Sequence, residues 1–386
     1  MQGFGFRTTP ALEIGTRRSA ATGELCRGLG IGHAFLVSDP GVRAAGLTGP
    51  AEASLAEAGI AVTLWDDVTA DPPEHAILAA ADAARAAGAD GVIGLGGGSP
   101  MDTAKIVALL LGTDQPIGGA YGVGNARGPR APLVLIPTTA GTGSEVTPVA
   151  IVTTGETEKM GIVSPHLLPD AAILDAALTT GLPRHVTAAT GIDAMVHAIE
   201  AFTSRHRKNA LSDMMAREAL RLLGAHIVAA CETPEDMAAR EGMLLGSTLA
   251  GMAFANAPVA AVHALAYPLG GHFKIPHGHA NAMVLPHVLN FNRAEPAAEA
   301  AYAALAPHVF PALEGQDQEM TVDSFIAELA ELGPSLGLPV RLSENGINQG
   351  DLDLLATDAM KQTRLLVNNP REMKVDDARA VYARAL

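Results

Sequence analysis

Gly91-Val92-Ile93-Gly94-Leu95-Gly96-Gly97-Gly98-Ser99-Pro100-Met101-Asp102 is the stretch on which the reading of this chain turns. The apolar run Gly91–Leu95 predicts a buried strand, and Met101–Leu111 predicts a helix. Between them Ser99 suits a helix cap and Pro100 a first turn. A strand that passes into a helix through glycines leaves backbone N–H groups free at the positive helix end. Phosphate is attracted there and meets no side chain on approach. The third glycine of G-x-G-x-x-G would fall on Ser99, so this is not the ordinary dinucleotide fingerprint. It also lacks the Gly-Lys-Ser/Thr ending of a P-loop. A plain strand-to-helix turn explains such glycines equally well, so the neighbouring sequence has to decide.

Working outward, Ala34–Val37 and Ile60–Leu64 predict strands, Ala51–Ala58 and Glu74–Ala87 helices, and Leu133–Ile136 a further strand. This alternation implies a parallel sheet covered by helices, with ligands at the carboxyl ends of its strands. Val149–Thr153 and Gly161–Val163 suggest a hairpin around the polar Thr154–Lys159, and Ala171–Leu174 returns to the sheet. After Leu182-Pro183 the rhythm becomes helical, over Thr187–Phe202, Ala210–Ala230, Glu235–Phe254 and Ser324–Leu332. The expectation is an α/β domain with a Rossmann-like parallel sheet at 1–183 and an all-α domain at 184–386, packed around a shared cleft. At 386 residues, two domains also suit the length.

Pro137-Thr138-Thr139-Ala140-Gly141-Thr142-Gly143-Ser144-Glu145 brings three threonine hydroxyls and more glycine to the edge where the first glycine loop lies. Hydroxyls and N–H groups together cradle the phosphates and ribose of a dinucleotide. Asp39, after the first predicted strand, can hold a ribose hydroxyl pair and repel a 2′-phosphate, which favours NAD over NADP. A turn-forming Asp-Pro-Gly is the alternative reading of Asp39.

In the helical half, Gly191-Ile192-Asp193-Ala194-Met195-Val196-His197 places a carboxylate and an imidazole at i and i+4, on one helix face. Five of the 13 histidines fall between His263 and His287 in a window poor in charge. A single buried histidine is usually a hydrogen-bonded core residue, and His287 fits that description. Clustered histidines beside Asp-x-x-x-His point further, because three imidazoles and a carboxylate suit Fe(II) or Zn(II) with a position left for a substrate oxygen.

The bulk composition narrows the classes. Hydrophobic residues make up 48% and charged ones 17%, which opposes disorder. A net charge of −15 opposes binding to nucleic acid or to an anionic membrane. Cys26 and Cys231 have no metal-ligand spacing and fit a reducing compartment. Neither a signal peptide nor a spanning apolar run is legible, so the expected location is the cytoplasm.

The stretches GGGSPMDTAK (Gly96–Lys105), PTTAGTGSE (Pro137–Glu145), TAATGIDAMVHAIEAFTS (Thr187–Ser204) and HALAYPLGGHFKIPHGHANAMVLPHV (His263–Val288) closely resemble the iron-containing alcohol dehydrogenase family. That family shares the dehydroquinate synthase-like fold. The resemblance implies an NAD-dependent oxidoreductase moving a hydride between NAD(H) and a small alcohol or aldehyde, assembled as a homodimer or larger. It makes 1–183 the NAD-binding domain and 184–386 the metal-binding domain. It places metal ligands at Asp193, His197, His263 and His277, and cofactor contacts at Asp39, Gly97, Gly98, Ser99, Thr138, Thr139, Thr142, Lys159 and Leu178. Asp102, in the glycine stretch, joins that cofactor set. His263 and His277 would serve catalysis as ligands. Tyr267 stands where many members carry a proton-relaying histidine, and a phenol has a much higher reference pKa than an imidazole. Lys274 also replaces a common histidine, and Asp71-Pro72 replaces the usual Asn-Pro; His272 and Lys274 could welcome an anionic group, while solvent exposure is the favoured reading of Lys274. Phe254 suggests a partly apolar substrate pocket. The competing class is a lyase of dehydroquinate-synthase type, which would borrow NAD and return it unchanged.

Overall fold

The computed structural model describes residues 3–155 and 158–386. Glu156 and Thr157, in the polar turn expected between the hairpin strands, lie outside the described residues, as do Met1 and Gln2. The described chain divides into two compact units, Arg7–Gly181 and Leu182–Leu386, with residues 3–6 grouped with the latter.

Among the described residues the first unit carries nine strands: β1 (Ala11–Ile14), β2 (His33–Val37), β3 (Ala61–Trp65), β4 (Gly91–Gly96), β5 (Gly122–Val123), β6 (Leu133–Pro137), β7 (Val149–Thr154), β8 (Glu158–Val163) and β9 (Ala171–Leu174). Its helices are α1 (Thr22–Gly28), α2 (Pro40–Ala44), α3 (Gly49–Glu57), α4 (Glu74–Ala87) and α5 (Gly98–Gly112). Six strands form one parallel sheet in the order β1-β9-β6-β4-β2-β3. The inner strands alternate between two apolar layers, as a sheet covered on both faces must. Phe35, Val37, Val92, Leu133 and Leu135 join α4 and α5 on one side. Ala34, Leu36, Ile93, Leu95, Val134 and Ile136 join Cys26 of α1 and Ala51 and Leu55 of α3 on the other. The hairpin forms, with β7 and β8 antiparallel, but its strands run further into the polar segment than expected, pairing Thr154 with Glu158 and Thr153 with Lys159; β5 adds to β8 to make a second sheet.

Strand order reverses beside β2, since β3 lies on one side of it and β4, then β6, on the other. The loops that leave β2 and β4 therefore diverge to opposite faces and open a crevice at the carboxyl edge, the usual ligand position in such sheets. Asp39 and Gly96–Ser99 lie on those two loops. The helix after β4 starts earlier than its apolar pattern suggests, at Gly98 with Gly97 as cap residue, because the glycines themselves enter the first turn. Ser99 is consequently inside the helix. Its hydroxyl accepts a hydrogen bond from the Asp71 N–H at 3.3 Å and does not cap.

The second unit is helical: α6 (Arg184–Thr203), α7 (Ala210–Glu232), α8 (Met237–Asn256), α9 (Ala261–Phe273), α10 (His277–Asn292), α11 (Pro296–Val309), α12 (Gln318–Ser335), α13 (Leu352–Ala359), α14 (Thr363–Leu366) and α15 (Val375–Ala385). Side-chain caps set the starts of α7 and α8. Asn209 accepts from Leu211 and Ser212 N–H groups, and Asp236 from Ala239 N–H. Helices α9, α10 and α11 each contain an interior proline, Pro268, Pro286 and Pro307. Tertiary packing holds them helical against a cost of about 3 kcal/mol each in isolation. Among the described residues no single helix is long and apolar enough to cross a membrane.

Candidate active site

Two constellations stand out, one in each unit. In the first, Gly96 has φ of +156°, and a Cβ there would lie 2.6 Å from Pro100 Cγ, so only glycine fits the turn. A Cβ on Gly97 would lie 3.6 Å from Thr139, and one on Gly98 would lie 3.0 Å from Thr142 Cγ2. The two expected loops are thus brought face to face. Thr138 is buried, and its N–H donates to Gly96 O at 2.9 Å, extending the β4–β6 ladder into the loop. Thr139 Oγ1 is buried without a hydrogen-bond partner, a polar atom that borders the glycine loop.

Asp39 performs the turn role. Its Oδ1 accepts from Val42 N–H at 2.9 Å and caps α2. Its Oδ2 would lie 3.4 Å from a Cβ on Gly96, so the carboxylate also borders the glycine turn. Asp102 is committed elsewhere: it accepts from Ser144 Oγ at 2.6 Å and from Ile151 N–H at 2.9 Å, tying α5 to the threonine loop and to β7. Burial pushes its carboxyl up, against the nearby Lys105 ammonium. Lys159 is half-buried on β8. Its Nζ lies 2.7 Å from Asp71 and donates to Thr153 Oγ1 at 2.9 Å. Leu178 is a core residue of the sheet's second apolar layer. These residues fit a dinucleotide's phosphates by the donors and the open cradle they provide.

In the second unit, Asp193 and His197 occupy one face of α6. His263 stands in the first turn of α9 and His277 at the start of α10. One ligand atom from each of Asp193, His263 and His277 falls within 4.8 Å of the others, the geometry of a metal-holding group. His197 adjoins them, its ring stacked on that of His263 at 4.7 Å between centroids. Phe254 also stacks on the His197 ring, at 4.3 Å between centroids. The close approach of α10 depends on Gly278, where a Cβ would meet Ala189 O at 2.4 Å and Asp193 Cβ at 3.2 Å.

His263 Nε2 is buried with no hydrogen-bond partner. Its Nδ1 donates to Glu200 Oε2 at 2.7 Å, which leaves the lone pair on Nε2, 3.8 Å from Asp193. An imidazole nitrogen with a lone pair, buried and unused beside a carboxylate, fits a metal ion. Burial pushes the Asp193 carboxyl up, but His197, His277 and His263 together with a hydrogen bond from Asn281 bring it below its ordinary value. Asn281 Nδ2 donates to Asp193 Oδ1 at 2.6 Å.

Glu200 and Asn281 are the site residues that sequence reading passed over. Glu200 had a signal, since it follows Asp193 at i+7 and His197 at i+3 on the same helix face, and Asn281 follows His277 at i+4. The other expectations sort themselves. Tyr267 lies with its ring 5.8 Å from that of His277. His272 does not wait for an anion, because its Nε2 is hydrogen-bonded to Asp358. Lys274 is exposed and donates to Gly271 O at 3.0 Å, turning back on its own helix. His279 donates to Pro339 O at 2.6 Å and is structural. Burial, with Arg384 nearby, pushes the His287 imidazole down, as in a core histidine.

Comparison with known proteins shows the family to which the chain belongs. The sequence model of iron-containing alcohol dehydrogenase matches residues 10–176, and that of the C-terminal region of the Fe-containing alcohol dehydrogenase family matches residues 187–386. The chain is 39% identical to long-chain-alcohol dehydrogenase 1 of Geobacillus thermodenitrificans, over 92% of this chain and 90% of that protein. A crystal structure of 1,3-propanediol oxidoreductase superposes with a TM-score of 0.95 at 33% identity, covering all of both chains. Sulfoacetaldehyde reductase of Bifidobacterium kashiwanohense, solved in complex with NAD+, superposes with a TM-score of 0.88 at 27% identity, over 100% of this chain and 99% of that one. These matches favour an oxidoreductase over the lyase reading. The chain belongs to the iron-containing alcohol dehydrogenase family and is an enzyme of that type.

Proposed function

We propose that the enzyme interconverts small alcohols and aldehydes with NAD(H), using Fe(II) or Zn(II) held by Asp193, His197, His263 and His277. The observation that carries this reading is His263 Nε2, a buried nitrogen with its lone pair free beside Asp193 and His277. When bound, the metal supplies Lewis acidity toward the substrate oxygen, and the nicotinamide accepts or returns a hydride. Phe254, stacked on His197, offers an apolar wall to the carbon chain. The Tyr267 hydroxyl is the candidate to pass the alcohol proton toward solvent, given how near its ring is to His277.

The dinucleotide would rest its phosphates on the Gly97–Gly98 backbone and on Thr138, Thr139 and Thr142. Ser99 and Asp102 act behind that cradle, Ser99 by accepting from Asp71 and Asp102 by holding Ser144. Asp39 would take the ribose hydroxyls and disfavour a 2′-phosphate. Lys159, paired with Asp71, would border the same loop, and Leu178 would support it from the core. The buried free cysteines suit the cytoplasm, where the enzyme would act as a homodimer or larger assembly.

The test follows NADH absorbance with metal-stripped protein resupplied with Fe(II) or Zn(II), across short alcohols and aldehydes. NAD-linked turnover that returns with metal is expected, and folded His277→Ala protein should stay inactive. Wild-type turnover in that variant, with metal fully removed, would refute the assignment.

A further inference from the structure

Glu200 is a buried carboxylate whose hydrogen bonds are all to neutral donors on one short segment. Its Oε1 accepts from Val262 N–H at 2.7 Å, and its Oε2 accepts from Ala260 N–H at 3.0 Å and His263 Nδ1 at 2.7 Å. Among the described residues no Lys or Arg pairs with it or with Asp193, and the partners of both within ion-pair distance are histidines. Buried carboxylates need a compensating positive charge. Among the described residues the group through which Glu200 reaches one is the imidazole of His263, whose far nitrogen is the unpartnered Nε2.

From this juxtaposition we infer that Glu200 is a positioning residue for metal binding. It fixes His263 in the Nδ1–H tautomer, anchors the start of α9, and supplies the second negative charge that balances a divalent ion. The inference rests on the metal site proposed above and goes beyond it by assigning a residue that donates no ligand. The placement follows from helical period. Asp193, His197 and Glu200 share one face of α6, so the same helix that presents the carboxylate ligand also presents the group that aims His263.

Glu200→Gln isolates the effect with little change of volume. An amide offers one acceptor and one donor, so its NH2 must face either His263 Nδ1 or the Val262 N–H. The first arrangement forces the opposite tautomer and closes Nε2 to metal. The second sets donor against donor and loosens the turn. Removal of such an outer partner typically weakens metal binding by about 10–100-fold. The experiment measures Zn(II) affinity of the full-length protein by competition with a chromophoric chelator, alongside NAD binding by calorimetry. The expected result is a drop of that size in Zn(II) affinity with an unchanged NAD dissociation constant. Equal Zn(II) affinity in folded Glu200→Gln protein would overturn the inference while leaving the metal site intact. A wild-type protein that binds no Zn(II) would overturn both. If the variant fails to fold, ring nitrogen NMR of wild-type protein labelled with 15N-histidine decides. An Nδ1–H signal for His263, identified by its loss in His263→Asn, supports the inference, and an Nε2–H tautomer refutes it.

Discussion

Replacing Gly97 by alanine separates phosphate binding from folding, because of the three loop glycines it alone has room for a methyl group. A Cβ on Gly96 would strike Pro100 at 2.6 Å with φ at +156°, and one on Gly98 would press Thr142 at 3.0 Å. Gly97 has φ of −76° and ψ of −163°, open to any residue, and its Cβ would meet Thr139 at an ordinary 3.6 Å. Two small stability terms oppose each other. Alanine lowers the entropy of the unfolded chain, worth about 0.4–1 kcal/mol, while a helix cap position prefers glycine to alanine by a similar amount. The net change in stability should lie within about 0.5 kcal/mol, the difference of those terms. Binding has no such compensation. The methyl group occupies the space through which a pyrophosphate reaches the α5 N–H groups. Loss of one hydrogen bond to a charged group costs about 1.5–3 kcal/mol, which raises the NAD dissociation constant about 10–150-fold. Calorimetric titration with NAD and urea unfolding, on the same preparation, read both quantities. A dissociation constant within about twofold of wild type, an energy far below one such bond, would refute the cradle.

Three further outcomes are expected. Asp39→Ser keeps the α2 cap and removes the charge, so NADP binding should strengthen at constant stability, whereas Asp39→Ala should in addition lose about 1 kcal/mol in urea unfolding; no gain in NADP affinity with either would exclude Asp39 from the cofactor site. Gly278→Ala forces α10 off Ala189 and Asp193, at a cost of about 1–3 kcal/mol, and both the urea midpoint and the Zn(II) affinity should fall together. Burial lowers the Lys105 ammonium from 10.5 to about 8, although Asp102 and Glu145 oppose this. The unfolded chain then holds more protons than the folded one between those values, so this group makes stability rise with pH across that window and contributes no slope below about 8. The wild-type minus Lys105→Met difference in unfolding energy should therefore shift in favour of wild type from pH 7 to pH 10, and a flat difference would contradict it.

What this sequence determined unaided is what local chemistry controls. Apolar runs such as Val92–Leu95 and Leu133–Ile136, short and bounded by glycine, proline and polar residues, read as covered strands, and the glycines at the β4–α5 junction read as a strand-to-helix turn. The i, i+4 pair Asp193 and His197 needs nothing beyond helical period to share a face. The edge strand β1, Ala-Leu-Glu-Ile, is short and only partly buried, and carries no such pattern. Helices α9 to α11 were obscured by Pro268, Pro286 and Pro307, whose local penalty is overcome only by packing. The assembly of the sites is decided at longer range. His263 and His277 reach Asp193 because α9 and α10 pack where Gly278 lets a backbone touch α6. Asp102 holds the threonine loop through a bond spanning 42 residues, and Glu200 aims His263 across 63. Spacing along a chain fixes which side chains share an element. Which atoms meet across elements, and which nitrogen keeps its lone pair, follows from how the helices are seated on one another.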